Sequence, residues 1–227
     1  RPKAERHGQP LAEAAGLGIH ESQSRMWENQ VGRSRAFWTW ALPVAKRHFG
    51  AALGGVDLDE VHGAMNLVRP GLIRVEADEV SYNLHVMLRF DLERAMIRGD
   101  LAVADLPGAW NDRIRDDLGL DVPDDRRGCL QDIHWSMGSI GYFPTYTLGN
   151  LIAAQLFDAA TEAIGDLPTK IEAGEFAPLL DWLRDNVHRH GRSLPAGTLV
   201  ERATGMPLSS DSFLSYLHAT AAEVYGI

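Results

Sequence analysis

An all-α fold is predicted by three features of this sequence. Between Glu76 and Arg98 there is neither Gly nor Pro, while Val80, Leu84, Leu88, Leu92 and Ala95 recur at the spacing of one helix face. Asp57 and Glu60 stand three residues apart ahead of an apolar run, the pattern of a capping box. Gly99 follows the long run directly, where a helix end favours a residue that reaches positive φ at little cost.

The elements follow in order. The run Gly18-Ile-His20-Glu21-Ser22-Gln23-Ser-Arg25-Met-Trp27-Glu28-Asn29 reads as a helix start. If it is helical, Glu21, Arg25 and Glu28 fall on one side. Two readings are open there: a partly buried polar site flanked by tryptophans, or an exposed salt-bridge face. A second helix is predicted from Ser34 to His48, with Phe37, Trp38, Ala41 and Ala45 inward and Pro43 as a possible kink. Asp57 caps a third, running to Asn66. Val68 to Val75 is apolar but broken by Pro70-Gly71, which predicts a turn with a short strand pair near residues 68–75. The long helix follows, with Arg89, Asp91 and Arg94 on its outer side. Further helices are predicted at Leu101–Leu118, Thr145–Ile164, Phe176–His188 and Ser212–Tyr225, and a loop at Asp121–Gly128. No repeat and no linker is visible, so residues 1–227 are expected to form a single helical unit.

Composition narrows the function. With 22 Lys and Arg against 31 Asp and Glu, the net charge of -9 argues against tracking a phosphate backbone, so no nucleic-acid partner is expected. No stretch approaches the roughly 18 apolar residues of a membrane span, so no membrane partner is expected either. The single cysteine, Cys129, permits no internal disulfide, which fits a reducing, cytoplasmic setting. The chain opens on Arg1 and a polar stretch without a start signal, so a piece of a longer chain is expected.

Three clusters could carry chemistry. The first is the His20–Asn29 run. In the second, Arg74 follows a Pro-Gly turn and precedes Glu76, Asp78 and Glu79. Its guanidinium could clamp a carboxylate with two parallel hydrogen bonds. The acids are equally explained by the macrodipole of the next helix. In the third, Gln131, Asp132, His134 and Trp135 crowd into five positions, and Tyr142 and Tyr146 follow Gly138 and Gly141. A His and a Tyr at a pocket wall could donate hydrogen bonds to a developing oxyanion, or they could simply pack a helix turn. His85, beside an apolar stripe, is expected to be a satisfied packing histidine; His188 and His190 are expected at a solvated helix end. No nucleophile elbow, phosphate loop or dinucleotide fingerprint is present.

Together, His20-Glu21-Ser22-Gln23, Ile73-Arg74 through Ala77-Asp78, and Gly128-x-x-Gln131-Asp132-x-His134-Trp135 resemble the carboxypeptidase Taq family of zinc metallocarboxypeptidases. The resemblance runs from about Gly16 to the C-terminus and implies a largely helical, homodimeric enzyme. Such an enzyme removes single residues from peptides with a free C-terminus. It further implies that Glu21 is a zinc ligand beside two histidines of a His-Glu-x-x-His helix. Arg74 would take the substrate carboxylate, and His134 and Tyr146 would stabilise the tetrahedral oxyanion. Tyr142 would contact substrate, while His20, Gln23, Asp78 and Asp132 would support the site. No His-Glu-x-x-His occurs in the 227 residues. The chain is therefore expected to be the C-terminal portion of a peptidase domain, inactive by itself. The alternative is a catalytically inactive helical module that binds a peptide or a partner.

Overall fold

The computed structural model describes residues 8–227; the polar opening stretch and His7 lie outside the described residues. The described residues are helical and contain no strand. They divide into two compact units. One is built from the chain up to Asn66 together with Leu148–Ile227, the other from Leu67–Thr147. Composition marks neither boundary, because the chain leaves the first unit through an apolar turn and re-enters it inside a helix.

In the first unit, α1 (Leu17–Arg25) passes without a break into a π-helical turn, Met26–Val31. The wider turn is closed by Gly32 N–H donating to Trp27 O at 2.9 Å. Glycine fits there because a Cβ on Gly32 would lie 2.8 Å from Glu28 O and 2.9 Å from Trp27 O. In α2 (Arg35–Phe49), the hydroxyl of Ser34 accepts from Phe37 N, and Pro43 sits inside the helix without ending it. In α3 (Leu58–Met65), both hydrogen bonds of the Asp57–Glu60 capping box form. The unit is completed by the later part of α6 (Pro144–Ile164) and by α7 (Leu167–Glu172), α8 (Ala177–Asn186), α9 (Ala196–Thr204) and α10 (Asp211–Tyr225). Its core gathers Ile19, Met26, Ile152, Leu156, Leu179 and Leu199 with their neighbours. Burying such side chains contributes about 1.5–3 kcal/mol each. The short helices α7 and α9 escape sequence reading because each starts beside a proline and has too few turns to show a period.

The second unit holds α4 (Tyr82–Arg98), a 3₁₀ turn at Val103–Asp105, α5 (Leu106–Leu118) and the first turn of α6. Leu88, Leu92, Leu106, Trp110, Ile114 and Cys129 form its main core, and Tyr82, Val86 and Phe143 a second cluster. The strand pair expected near residues 68–75 does not form. Backbone polar groups of this segment are met by side chains instead of a neighbouring strand. Arg69 N donates to Asp78, Gly71 O pairs with His85, Leu72 O accepts from Gln131, and Arg74 N donates to Gln131. The segment ends in a 3₁₀ turn, Arg74–Glu76, and α4 begins only at Tyr82. Asp78 delays it by accepting from the backbone of Val80 and Ser81 and from the Ser81 hydroxyl.

Arg89 was expected on the outer side of α4 and is instead fully buried, with Glu93 also inside. The inner face of α4 carries Tyr82, His85, Arg89 and Glu93 beside its leucines, so periodicity that counts only apolar residues reads it incompletely.

Candidate active site

Each unit carries its own candidate residues. On α1, Arg25 bridges the two acids read from the sequence, with Nε 2.8 Å from Glu21 Oε1 and Nη1 2.9 Å from Glu28 Oε2. Helical spacing thus places the three as expected. Glu21 is half-buried while Glu28 is half-exposed, so the row is a partly sheltered polar face. His20 is exposed. Gln23 takes a hydrogen bond from His188 Nε2 at 2.9 Å and donates to Ser22 Oγ. His188 therefore is not at a solvated helix end: burial lowers its pKa, and Gln23 is its partner. With His20 these two line a cavity of about 380 Å³.

The described residues contain no group of three His, Cys, Asp or Glu side chains placed to hold a metal ion. Glu21 alone cannot hold one, since a divalent ion needs three or four protein donors. By themselves the described residues do not fit a metal centre.

The second unit gathers the other two clusters. Asp132 lies between two buried guanidiniums. Arg74 Nη2 donates to Oδ1 at 2.6 Å, and Arg89 Nε donates to Oδ2 at 2.7 Å. Burial by itself would raise the Asp132 pKa; hydrogen bonding to Arg74 and the charge of Arg89 outweigh it, and the pKa falls below the carboxylate range. Arg74 is only 5% exposed. Its Nη1 donates to Tyr82 Oη at 2.9 Å, and its guanidinium lies 4.7 Å from the Tyr146 ring centroid. The Arg74 fork is thus occupied by a carboxylate of the protein itself.

At the edge of this cluster, His134 Nε2 and Tyr146 Oη are 2.9 Å apart. Tyr142 packs its ring 5.3 Å from that of His134 and 5.4 Å from that of Tyr146. Burial, opposed by the Asp132 charge, leaves the His134 pKa below the ordinary imidazole value, so the ring is neutral near pH 7. Asp78 caps the loop before α4 and makes its hydrogen bonds there.

Sequence reading grouped Gln131 with Asp132 and His134 without giving it a role, and it passed over Glu93. Gln131 Oε1 accepts from Arg74 N and Arg89 Nη2, while its amide donates to Leu72 O. Glu93 takes Trp135 Nε1 at 2.7 Å and Gly141 N at 2.6 Å. His85 Nε2 donates to Gly71 O, the packing role expected of it. The signal available in the sequence is the four-residue spacing of His85, Arg89 and Glu93.

A model of the carboxypeptidase Taq (M32) metallopeptidase family matches residues 2–221. Thermostable carboxypeptidase 1 of Thermus thermophilus is 50% identical over 222 residues, covering 98% of this chain and 43% of its own length. Carboxypeptidase 1 of Bacillus subtilis is 38% identical, covering 96% of this chain and 44% of its own length. The crystal structure of an M32 carboxypeptidase from Deinococcus radiodurans is similar over 100% of this chain and 46% of that one, with a TM-score of 0.96 and 46% identity. The chain thus spans less than half the length of these relatives. With the match running through every cluster described above, the chain belongs to the carboxypeptidase Taq (M32) family of metallopeptidases.

Proposed function

We propose that this chain is the C-terminal portion of a zinc-dependent metallocarboxypeptidase that releases single residues from peptides with a free C-terminus. The observation that carries this reading is the second unit's cluster: a buried surplus of guanidinium charge around Asp132, with a neutral His134 hydrogen-bonded to Tyr146 at its edge. Such a cluster suits a substrate that arrives with a carboxylate and develops an oxyanion. In this reading Arg74 recognises the terminal carboxylate, sharing its donors with Asp132. His134 and Tyr146 act together on the oxygen that gains charge, Tyr146 through its hydroxyl and His134 as that hydroxyl's hydrogen-bond partner, and Tyr142 lines the approach. Glu21 supplies one ligand to the metal, whose remaining ligands come from sequence outside this chain. His20 and Gln23 support the Glu21 run, while Asp78 and Asp132 support Arg74 and His134. A cytoplasmic homodimer is part of the same reading.

The test is release of the terminal residue by a full-length protein carrying this sequence, from peptides with free and with amidated C-termini. Zinc-dependent release that amidation largely abolishes is expected. A full-length protein that releases nothing in the presence of zinc would overturn the reading. Zinc stoichiometry on the 227-residue chain is expected near zero, and a value near one would overturn the assignment of its missing ligands to other sequence.

A second reading is favoured by one observation, the lack of a three-ligand group among the described residues. It makes the chain a helical module that binds peptides without cleaving them. Peptide binding by the 227-residue chain, combined with a full-length sequence lacking His-Glu-x-x-His, would favour it.

A further inference from the structure

Arg89 adds to the charge of the cluster but has no role of its own in the reading above, yet its donors converge on residues that do. Nε donates to Asp132 Oδ2 at 2.7 Å, Nη2 to Gln131 Oε1 at 2.8 Å and Nη1 to His85 O at 2.8 Å. The guanidinium also lies 4.5 Å from the Trp110 ring centroid. With every edge of the fork engaged and no solvent exposure, the side chain has one available orientation.

That orientation fixes Asp132. Oδ2 is held by Arg89, and Oδ1 is held by Arg74 at 2.6 Å and lies 3.7 Å from His134 Nδ1. Nδ1 is buried and has no hydrogen-bond partner among the described residues. On a neutral ring, a lone pair at Nδ1 facing a carboxylate oxygen is repelled, whereas an N–H there is attracted. The Nδ1–H tautomer is therefore favoured. Nε2 then carries the lone pair, and the hydrogen bond to Tyr146 runs from its hydroxyl to Nε2.

We propose that Arg89 is a positioning residue for the His134–Tyr146 pair: by holding Asp132 Oδ2 it aims Oδ1 at His134 Nδ1 and fixes the tautomer whose Nε2 accepts from Tyr146. In that state the hydroxyl proton of Tyr146 points at a neutral nitrogen. It is ready to turn to a stronger acceptor, an oxygen gaining negative charge. The catalytic meaning of this arrangement rests on the proposed function; the arrangement itself does not.

Nitrogen-15 correlation of the histidine rings reads the tautomer directly in the 227-residue chain, with the His134 signals assigned by their loss in H134Q. The expected result is a protonated Nδ1 and a bare Nε2 on His134 at pH 7.5. R89K, which keeps a positive charge on Asp132, is expected to retain it. R89Q and D132N are expected to move the His134 ring nitrogens toward the other tautomer. An Nε2–H tautomer in the unaltered chain overturns the proposal. So does a folded R89Q whose His134 nitrogens are unmoved. If R89Q does not fold, D132N, which keeps the carboxylate's shape, decides by the same criterion.

In the full-length protein, R89Q is expected to lower kcat at least tenfold with KM little changed, and R89K to restore part of it. Tautomer changes without any loss of peptide release would remove His134 and Tyr146 from the reaction and leave the positioning intact.

Discussion

Gly149 of α6 lies directly against Glu21 of α1: a Cβ there would stand 2.6 Å from Glu21 Cγ, 2.8 Å from its Cβ and 3.2 Å from its carbonyl carbon. The helix backbones approach closely at that point because glycine has no side chain. Gly149→Ala should therefore destabilise by about 1–3 kcal/mol through overpacking. Set against the roughly 1 kcal/mol that Ala ordinarily gains over Gly inside a helix, the net loss is about 0–2 kcal/mol. Urea unfolding of the two proteins measures the sign; a more stable Ala variant would show that Glu21 moves aside freely.

Asp132 compensates two buried guanidiniums, so removing it leaves uncompensated charge. Asp132→Ala is expected to cost about 3–5 kcal/mol, as for breaking a buried ion pair. Asp181, whose 2.9 Å pair with Arg184 is more than half exposed at both ends, should tolerate the same change with no measurable loss. Comparable denaturation midpoints for the two variants would contradict the difference.

His85 carries a pH dependence of stability. Burial, with the Arg89 charge second, lowers its pKa from 6.5 to about 4. The folded state thus holds the ring neutral where the unfolded chain would protonate it. The contribution is fully present above pH ~6.5 and is lost as pH falls toward ~4, by about 3 kcal/mol in all. Unfolding free energies between pH 7.5 and 4.5 should show this slope, and His85→Gln should flatten it. An unchanged slope would mean other groups dominate.

Cys129 is buried, and burial raises its thiol pKa. It should react slowly with a disulfide reagent at pH 7.5 in the folded protein and fully after unfolding in denaturant. Rapid labelling of the native chain would contradict its placement in the core around Trp110.

Much of the architecture is legible in the sequence because its signals are local. Ser34, Asp57 and Gly99 mark helix ends by the chemistry of a single residue, and each stands where it was expected. The pairing of Glu21, Arg25 and Glu28 follows from helix geometry alone. What stays hidden depends on contacts across the fold. The backbone of residues 68–75 avoids strand pairing because Asp78, His85 and Gln131 reach it from elsewhere. Arg89 reads as a surface residue until Asp132, 43 positions later, is brought to its fork. In the site, the types of the residues were readable, but the engagement of Arg74 by Asp132 was not.

The π-helical turn at Met26–Val31 has a consequence for how this chain tolerates length change. Its Gly32-to-Trp27 bond encloses one more residue than an α-helical ring would. The extra residue shifts the phase of everything on either side by about one hundred degrees, since an α-helix turns 3.6 residues per revolution. Deleting a single position within the turn would let the segment relax into ordinary α-helix. The core anchors Ile19 and Val31 could then no longer face inward together without rotating Glu21 away from Gly149. The segment thus behaves as a splice that keeps two helical registers in step, and shortening it would be felt first at the carboxylate.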